Sequence, residues 1–363
     1  MTVVTLASFA EDIRKAGPGG VKFHFVDVPW RPAYRLAPQL GLYRYYVRWQ
    51  DAALRHIEAR REHYDVVHHV AWGSLHLGTR LWRLPAPLVY GPIGGGQTAP
   101  AQYWRYFGRD WPTEALRTQL TTGPMLKLNS RSRETIRNAA VTLVTNEATA
   151  VAARRLGATD VRYMLAEGLS PDWITEPRSQ PNQVPVILWL GRLLARKAPT
   201  LAIQAFAELR RLMPARLVMA GDGPLRDQVR QEIARCGVTD DVDMLGQVPW
   251  KDIGSLYNSA SVFLFTSLRD SSGSQFLEAL GKGLPAVALD HHGIGDTKVG
   301  AAAVKVAIPA EPRDLPGRLA LAMQTVLSDD QWESRSAAGV KWAGEWTWPA
   351  KAATAGHIYK EVA

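Results

Sequence analysis

The chain has 363 residues, more than one hydrophobic core usually serves, so its length favours two domains. With 46% apolar and 21% charged residues, the composition is that of a folded globular protein and excludes a disordered or low-complexity chain. A formal charge of +9 and a pI near 9.7 favour an anionic partner: a nucleic acid, a membrane surface or a phosphorylated small molecule.

The positive charge is concentrated in the first half, because residues 1–180 contain 23 basic and 15 acidic side chains, whereas residues 181–363 contain 20 and 19. The single cysteine, Cys236, excludes an internal disulfide framework and favours a reducing compartment. No apolar run approaches the roughly 20 residues of a bilayer span, and the first residues lack the pattern of an export signal. We expect a cytoplasmic protein, with a peripheral position on the inner face of the cytoplasmic membrane left open.

Short apolar runs alternate with helical patterns along the chain, which predicts parallel βα units. The predicted strands, in order, are 2–6, 23–28, 65–69, 88–90, 141–145, 161–165, 184–190, 216–220, 242–245, 262–266, 286–289 and 303–306. Leucines, alanines and a phenylalanine at helical spacing predict a helix over 199–213, between Pro199 and Pro214. Six strands on each side of a Pro-rich polar stretch indicate two doubly wound α/β domains.

That stretch predicts a domain boundary near 170–183. Residues 1–175 are assigned to a first domain, 176–348 to a second, and 349–363 to a terminal helix. Open α/β sheets bind ligands at the carboxyl ends of their strands, so the loops that follow strands are the candidate sites.

The loop after strand 184–190 begins with Gly191 and Arg192 and reaches Lys197 before the 199–213 helix. An arginine fork, a lysine point charge and a helix N-terminus suit a diphosphate, although exposed loop charges remain an equal alternative. Glycines 221 and 223 follow the next strand, where a tight turn is the simpler interpretation.

After strand 262–266, Asp270 and Glu278 flank a small, glycine-bearing turn, residues 271–275. The turn amides could meet an anion at the start of a helix, and the two carboxylates could accept hydrogen bonds from sugar hydroxyls. A capping aspartate and a solvated helix glutamate are the competing interpretation.

Two loops of the first half are also candidates. His68 and His69 end a strand, and strand alternation sends them to opposite faces, so at most one is expected in a cleft. Gly94, Gly95 and Gly96 end the next strand, and three consecutive glycines favour a close approach, with a plain loop as the alternative.

Together these residues resemble the family-four retaining glycosyltransferases, which have the GT-B architecture of two Rossmann-like domains facing a cleft. The resemblance implies that Arg192 and Lys197 hold the pyrophosphate of a nucleotide-sugar donor. Glu278 is then expected to bind the donor ribose, with Asp270 in place of a glutamate at the sugar. It places the following residues at the donor: Gly191, Gly246, Val248, Ser271, Ser272, Gly273, Ser274 and Gln275.

The first half resembles a narrower branch of bacterial polysaccharide and cell-envelope transferases. Here the resemblance implies that His69 or His68 contacts the donor sugar, and that Gly94–Gly96 lie on the acceptor side. Members of the family open with an additional strand, glycine loop and helix, so about forty residues of the first βα unit are expected to be missing, judged by the usual length of such a unit.

The implied reaction transfers a hexosyl group from a UDP- or GDP-sugar to a hydroxyl acceptor with retention, requiring neither a cofactor nor a metal. The expected acceptor is a glycan or lipid-linked intermediate of the cell envelope. Bases and aromatics are interleaved over 101–140, which predicts contact with an anionic membrane, although a solvated helix face is an equal alternative. The bases are Arg105, Arg109, Arg117, Lys127, Arg131, Arg133 and Arg137, and the aromatics are Trp104, Tyr106, Phe107 and Trp111.

Three alternatives remain open at the level of sequence. A nucleotide-sugar epimerase or a phosphorylase shares the architecture, and an epimerase would need no acceptor. A nucleic-acid-binding protein would explain the charge, but no recognition motif is visible. A non-catalytic remnant would bind nucleotide through the second domain without turnover.

Overall fold

The protein forms two parallel α/β domains that face each other across a cleft. The structure, a computed structural model, describes residues 1–35, 38–70, 72–123, 125–179, 184–328 and 330–363. Each predicted strand is present, and the fold is the GT-B arrangement that the sequence indicates. The predicted boundary region continues over 180–183, which lie outside the described residues.

In the described residues, the first domain has six strands and seven α-helices. The strands are β1 Thr2–Leu6, β2 Lys22–Val26, β3 Val67–His69, β4 Leu88–Ile93, β5 Ala139–Val144 and β6 Val161–Tyr163. The helices are α1 Ala10–Ala16, α2 Pro38–Arg60, α3 Trp104–Phe107, α4 Trp111–Thr122, α5 Met125–Leu128, α6 Ser130–Asn138 and α7 Glu147–Leu156.

These six strands do not form one sheet, which differs from the expectation of a single doubly wound unit. β1 and β2 pair only with each other, whereas the other four form a parallel sheet in the order β3-β4-β5-β6. Side chains of α2, including Tyr46 and Trp49, pack with Val26 of β2. Side-chain packing therefore connects β1 and β2 to the rest of the domain. A single doubly wound sheet would connect them by backbone hydrogen bonds between strands.

The second domain is a six-stranded sheet with helices on both faces. Its strands are β7 Val186–Leu190, β8 Arg216–Ala220, β9 Val242–Gly246, β10 Val262–Phe265, β11 Ala286–Asp290 and β12 Ala303–Ala307. Its helices are α8 Pro199–Leu212, α9 Arg226–Cys236, α10 Trp250–Ser259, α11 Ser274–Gly281, α12 His292–Gly295, α13 Leu315–Ser328 and α14 Trp332–Gly344. A last helix, α15, spans Trp348–Val362.

The order of this sheet, β12-β11-β10-β7-β8-β9, reverses between β7 and β10. Helices leave the two strands toward opposite faces at such a point, which opens a crevice at the carboxyl ends of the strands. α8, which follows β7, buries Leu201, Ala205 and Phe206 and ends before Pro214, as predicted. The loops after β7 and β10 therefore meet at one end of the sheet.

Helix α15 lies against the first domain. Ile358 packs in a buried cluster with Val89, Val141 and Leu143 of the β4–β5 sheet. The Nζ of Lys351 donates hydrogen bonds to three consecutive carbonyls, at residues 165, 166 and 167, over 2.7, 3.0 and 2.8 Å. The end of the chain is thereby attached to the segment that joins the two domains.

In the part of the chain that the structure describes, no helix is both long and apolar enough to cross a bilayer.

Candidate active site

An ion pair joins the loops after β7 and β10, at the point where the strand order of the second sheet reverses. The Nζ of Lys197 donates to Oδ2 of Asp270 over 2.5 Å and lies 3.3 Å from Oε1 of Gln275. Both charged side chains are largely buried, with Lys197 only 7% exposed. The structure thus brings together two residues that lie 73 positions apart in the sequence and that the sequence nominated separately.

Neighbouring groups keep Asp270 ionised. Burial acts to raise the pKa of this carboxyl, but the charges of Lys197 and Arg196 outweigh burial and hold the pKa below its usual range. Burial lowers the pKa of Lys197, and the charge of Asp270 opposes that effect. Any anionic ligand that approaches Lys197 would compete with Asp270 for the ammonium.

Two arginines of the β7 loop have different environments. Arg192, the predicted phosphate ligand, is exposed at the edge of the loop. Arg196 lies inside, where its Nη1 is 3.4 Å from Oδ2 of Asp270. Sequence reasoning missed Arg196 because its spacing from Gly191 and Lys197 does not reveal which of two arginines turns inward.

The turn over 271–275 leads into α11. Gly273 caps this helix with φ of 67°, a left-handed conformation that favours glycine. Glu278 lies in the helix, 9% exposed, and its Oε2 accepts a hydrogen bond from the Tyr257 hydroxyl over 2.8 Å. Burial raises the pKa of Glu278, and the hydrogen bond from Tyr257 opposes that shift. This environment differs from the solvated helix glutamate of the competing interpretation.

The first domain contacts the same turn. The Ser271 hydroxyl lies 2.9 Å from Oγ1 of Thr145, and Nδ2 of Asn146 donates to the Ser271 carbonyl over 3.1 Å. The Ser272 hydroxyl donates to the carboxylate of Glu167. These three first-domain residues were not predicted. The signal that could have found them is the polar side chains in the loops after β5 and β6, since Thr145 and Asn146 directly follow β5 and Glu167 lies four residues after the end of β6.

The glycine loop of the first domain makes a close approach to the second. A methyl group built on Gly94 would lie 2.3 Å from the Ser271 hydroxyl oxygen, and one on Gly96 would lie 2.5 Å from the backbone of Thr149. At the end of the same loop, the ring of His292 hydrogen-bonds Thr98. The loop is therefore part of the domain interface, at the edge of the 271–275 turn.

The structure places the two nominated histidines away from that turn. Nδ1 of His68 lies 2.6 Å from the Tyr359 hydroxyl, and Nε2 lies 2.8 Å from the Gly91 carbonyl oxygen. His69 is buried against Tyr90 on the other face, with Nε2 at 3.1 Å from the Tyr46 hydroxyl. Burial lowers the pKa of His69 to about 3. Alternation along β3 is confirmed, since His68 contacts Tyr359 of α15 and His69 contacts Tyr46 of α2.

The loops after β8 and β9 lie next to each other. The amide of Gly221 donates to the carbonyl of Gly246 over 2.7 Å, and Gly246 adopts φ of 68°. The amide of Leu193, beside Arg192, donates to the Asp222 carbonyl over 3.0 Å. Val248 is partly buried against the apolar cluster under α10. These contacts place Gly246 and Val248, two of the predicted donor-binding residues, beside the β7 loop.

The 101–140 segment differs from its prediction. Tyr103 and Phe107 are buried in the core of the second domain, and Tyr106 and Trp111 pack against that core. Trp104 is 49% exposed. The prediction that these aromatics face a membrane is thus wrong for three of the four, because Tyr106, Phe107 and Trp111 pack against the core of the second domain.

Among the residues that the structure describes, no cluster of three or more histidine, cysteine or carboxylate side chains has the geometry to hold a metal ion.

Residues 174–339 match the family model described as "Glycosyl transferases group 1". Among curated relatives, the 2-deoxystreptamine glucosyltransferase of Streptomyces kanamyceticus is 28% identical over 174 residues, 44% of this chain and 45% of that protein. The GDP-mannose-dependent alpha-(1-6)-phosphatidylinositol monomannoside mannosyltransferase of Mycobacterium tuberculosis is 29% identical over 186 residues, 48% of this chain and 47% of that protein. The alignments span about half the length of these relatives.

The fold has relatives across the whole chain. The crystal structure of Anabaena HepE in complex with UDP aligns with a TM-score of 0.64 and 17% identity, covering 99% of this chain and 92% of that one. At this identity the likeness concerns the fold alone. The second domain carries the pattern of the group 1 glycosyl transferases, on a chain with the GT-B fold of glycosyltransferases.

Proposed function

We propose that the protein transfers a hexosyl group from a nucleoside-diphosphate sugar, UDP- or GDP-linked, to a hydroxyl acceptor with retention at the anomeric carbon. The observation that carries this proposal is the buried Lys197–Asp270 pair beside the start of α11, inside the segment that matches the family model. A buried lysine and a helix start together suit a diphosphate, whose departure is the chemical event that needs stabilising.

Each group has one role in this scheme. Lys197 and Arg192 neutralise the diphosphate as it leaves. The turn over 271–275, called the donor turn below, presents backbone amides to the same phosphates. The Asp270 carboxylate accepts hydrogen bonds from the sugar hydroxyls, and the Glu278 carboxylate accepts hydrogen bonds from the ribose hydroxyls. Arg196 joins Lys197 and keeps Asp270 ionised and oriented. Because the leaving charge is balanced by side chains and by a helix, the reaction proceeds without a bound metal or cofactor in this proposal.

The acceptor in this proposal is a glycan or lipid-linked intermediate of cell-envelope biosynthesis, met at the inner face of the cytoplasmic membrane. The supporting observations are the basic first half and the M. tuberculosis relative, whose name describes transfer onto a phosphatidylinositol mannoside. The Gly94–Gly96 loop borders the donor turn on the side of the first domain, where an acceptor hydroxyl would approach.

The experiment is a panel of UDP- and GDP-hexoses, assayed with and without lipid-linked and soluble glycan acceptors in buffer containing EDTA. Transfer to an acceptor is expected, with an anomeric NMR coupling in the product that matches the donor configuration. Conversion of the donor without acceptor would assign an epimerase. Binding without turnover would assign a nucleotide-sugar-binding protein, and no binding of any donor would overturn the proposal.

A further inference from the structure

A face of the first domain exposes large apolar side chains in a number unusual for a water-facing surface. It is formed by the segment before α2, the first turns of α2 and the loop after β3, and is called the α2 face below. Its exposed members are Trp30 at 43%, Leu40 at 49%, Leu42 at 41%, Tyr43 at 45% and Trp72 at 42%. Large apolar groups gathered on one surface mark an interaction site.

The aromatic side chains of the α2 face contact one another in two groups. The ring of Trp30 lies 5.3 Å from those of Tyr34 and Tyr45, and the ring of Tyr43 lies 5.9 Å from that of Trp72. Between these two groups, Nη1 of Arg48 donates to the Tyr34 hydroxyl over 3.1 Å. The two groups meet at a cavity that Tyr34, Tyr43 and Arg48 line at the start of α2.

The α2 face has an excess of positive charge, although the Asp27 carboxylate lies beside Tyr45. Residues 28–50 contain four arginines, at positions 31, 35, 44 and 48, and neither aspartate nor glutamate. Arg31, Arg35 and Arg44 are exposed beside the apolar side chains. Arginines bind phosphate headgroups, and exposed tryptophan, tyrosine and leucine side chains insert at the boundary between headgroups and acyl chains.

We propose that the α2 face docks the protein on an anionic phospholipid bilayer. The α2 face combines apolar and cationic side chains. A bilayer with anionic lipids matches both, because its headgroups attract the arginines and its acyl chains accept the apolar side chains. In the 101–140 segment, by contrast, most of the aromatic side chains pack against the second domain.

Two open cavities lie at the α2 face. One of about 320 Å³ is lined by Tyr34, Tyr43, Arg44, Val47 and Arg48. The other, of about 450 Å³, is lined by Leu42, Tyr43, Trp72, Gly73, Ser74 and Leu77.

The larger cavity ends one hydrogen bond away from the acceptor-side loop. The amide of Gly94 donates to the carbonyl of Gly73 over 2.9 Å, and Gly94 itself faces Ser271 of the donor turn. Docking through the α2 face would thus bring lipid-borne hydroxyls to the edge of the cleft. The delivery of an acceptor in this way rests on the proposed function. The docking on a bilayer does not depend on that function and is measured separately.

The test is co-sedimentation of the full chain with vesicles of phosphatidylcholine alone and with 30% phosphatidylglycerol. Two variants remove parts of the face: Trp30→Ser with Arg31→Ser, and Leu40→Ser with Leu42→Ser. Trp104→Ser with Arg105→Ser is the matched control, because Trp104 and Arg105 are also an adjacent, exposed Trp-Arg pair. Circular dichroism and UDP binding verify that each variant is folded. If the variant with Trp30→Ser and Arg31→Ser does not fold, the variant with Leu40→Ser and Leu42→Ser is used alone.

We expect binding to the anionic vesicles only, about a tenfold weaker partition for each α2-face variant, and an unchanged partition for the control. Equal binding to both vesicle types, or a loss in the Trp104 variant with none in the α2-face variants, would overturn the proposal. Absence of vesicle binding would also overturn it, and self-association in sedimentation that the same variants abolish would assign the face to a second copy. Donor turnover on a soluble acceptor should survive in every folded variant, which separates failure of docking from failure of the proposed function.

Discussion

Gly94 of the first domain faces Ser271 of the second so closely that a single methyl group on Gly94 would lie 2.3 Å from the serine hydroxyl oxygen. The contact couples the Gly94–Gly96 loop to the 271–275 turn. It exists only when the two domains are closed on each other, and the same turn is held by Thr145 and Asn146 through hydrogen bonds of 2.9 and 3.1 Å.

Gly94→Ala should therefore displace the Ser271 hydroxyl and hinder closure, while it leaves Lys197 and Glu278 in place. We expect kcat to fall at least tenfold, because overpacking at a tight contact costs about 1–3 kcal/mol, while UDP affinity stays unchanged. Titration calorimetry and initial rates measure the two quantities. Gly317→Ala is the control, since a methyl group there meets no atom within 4 Å. A parallel loss in both variants, or no change in kcat for Gly94→Ala, would contradict a role in closure.

Removing the Lys197 ammonium should weaken diphosphate binding. For Lys197→Ala we expect a loss of roughly 1.5–3 kcal/mol in UDP affinity, the size of a charge-assisted hydrogen bond. Asp270→Asn removes the competing anion, so UDP affinity should be retained or improved while the affinity for the UDP-hexose falls. Calorimetry with UDP and with the intact donor distinguishes the two effects. Unchanged UDP affinity in Lys197→Ala would argue against the phosphate assignment.

Two arginines of one loop should differ in what they contribute. Arg192 is exposed and free to meet the diphosphate, so Arg192→Ala is expected to cost about 1.5–3 kcal/mol of UDP affinity. Arg196 lies 3.4 Å from Asp270, so Arg196→Ala should affect the sugar contact more than the phosphates. Comparing UDP with UDP-hexose binding in both variants is the measurement. If Arg196→Ala has the larger effect on UDP itself, the two assignments must be exchanged.

Local patterns predicted the elements well because apolar periodicity and proline boundaries are properties of neighbouring residues. β8 was predicted to the residue and α8 to within one residue. Features set by distant contacts were not predictable. His68 meets Tyr359, 291 positions away, and which of Arg192 and Arg196 turns inward depends on Asp270 in another loop. The separation of β1–β2 from the β3–β6 sheet likewise depends on packing with α2.

The buried carboxylate of Glu278 should report on the nucleoside and not on the phosphates. Its Oε2 already accepts from Tyr257, and the role proposed for it is to accept the ribose hydroxyls. Glu278→Gln is therefore expected to weaken UDP binding about tenfold and to leave the binding of inorganic pyrophosphate unchanged. Competition between the two ligands measures both affinities. Equal losses for UDP and pyrophosphate would place Glu278 at the phosphates or in the scaffold of the turn.

Lys351 should make the attachment of α15 depend on pH. Burial lowers the pKa of this lysine to about 8, from 10.5 in an unfolded chain. The folded protein therefore holds the proton less tightly than the unfolded chain. The resulting contribution to stability is complete above pH 10.5 and is lost as the pH falls through 8. Relative to Lys351→Met, the free energy of unfolding of the wild type should thus rise between pH 7 and pH 10, as measured by urea denaturation.

The matched control is Lys360→Met, at an exposed position of the same helix. It separates the loss of a lysine from the loss of this one, whose ammonium donates to three carbonyls of the interdomain segment. A difference between wild type and Lys351→Met that stays constant from pH 7 to pH 10 would show that Lys351 holds its proton equally in both states. In that case burial would not govern this contact, and the attachment of α15 would depend on the packing of Ile358 instead.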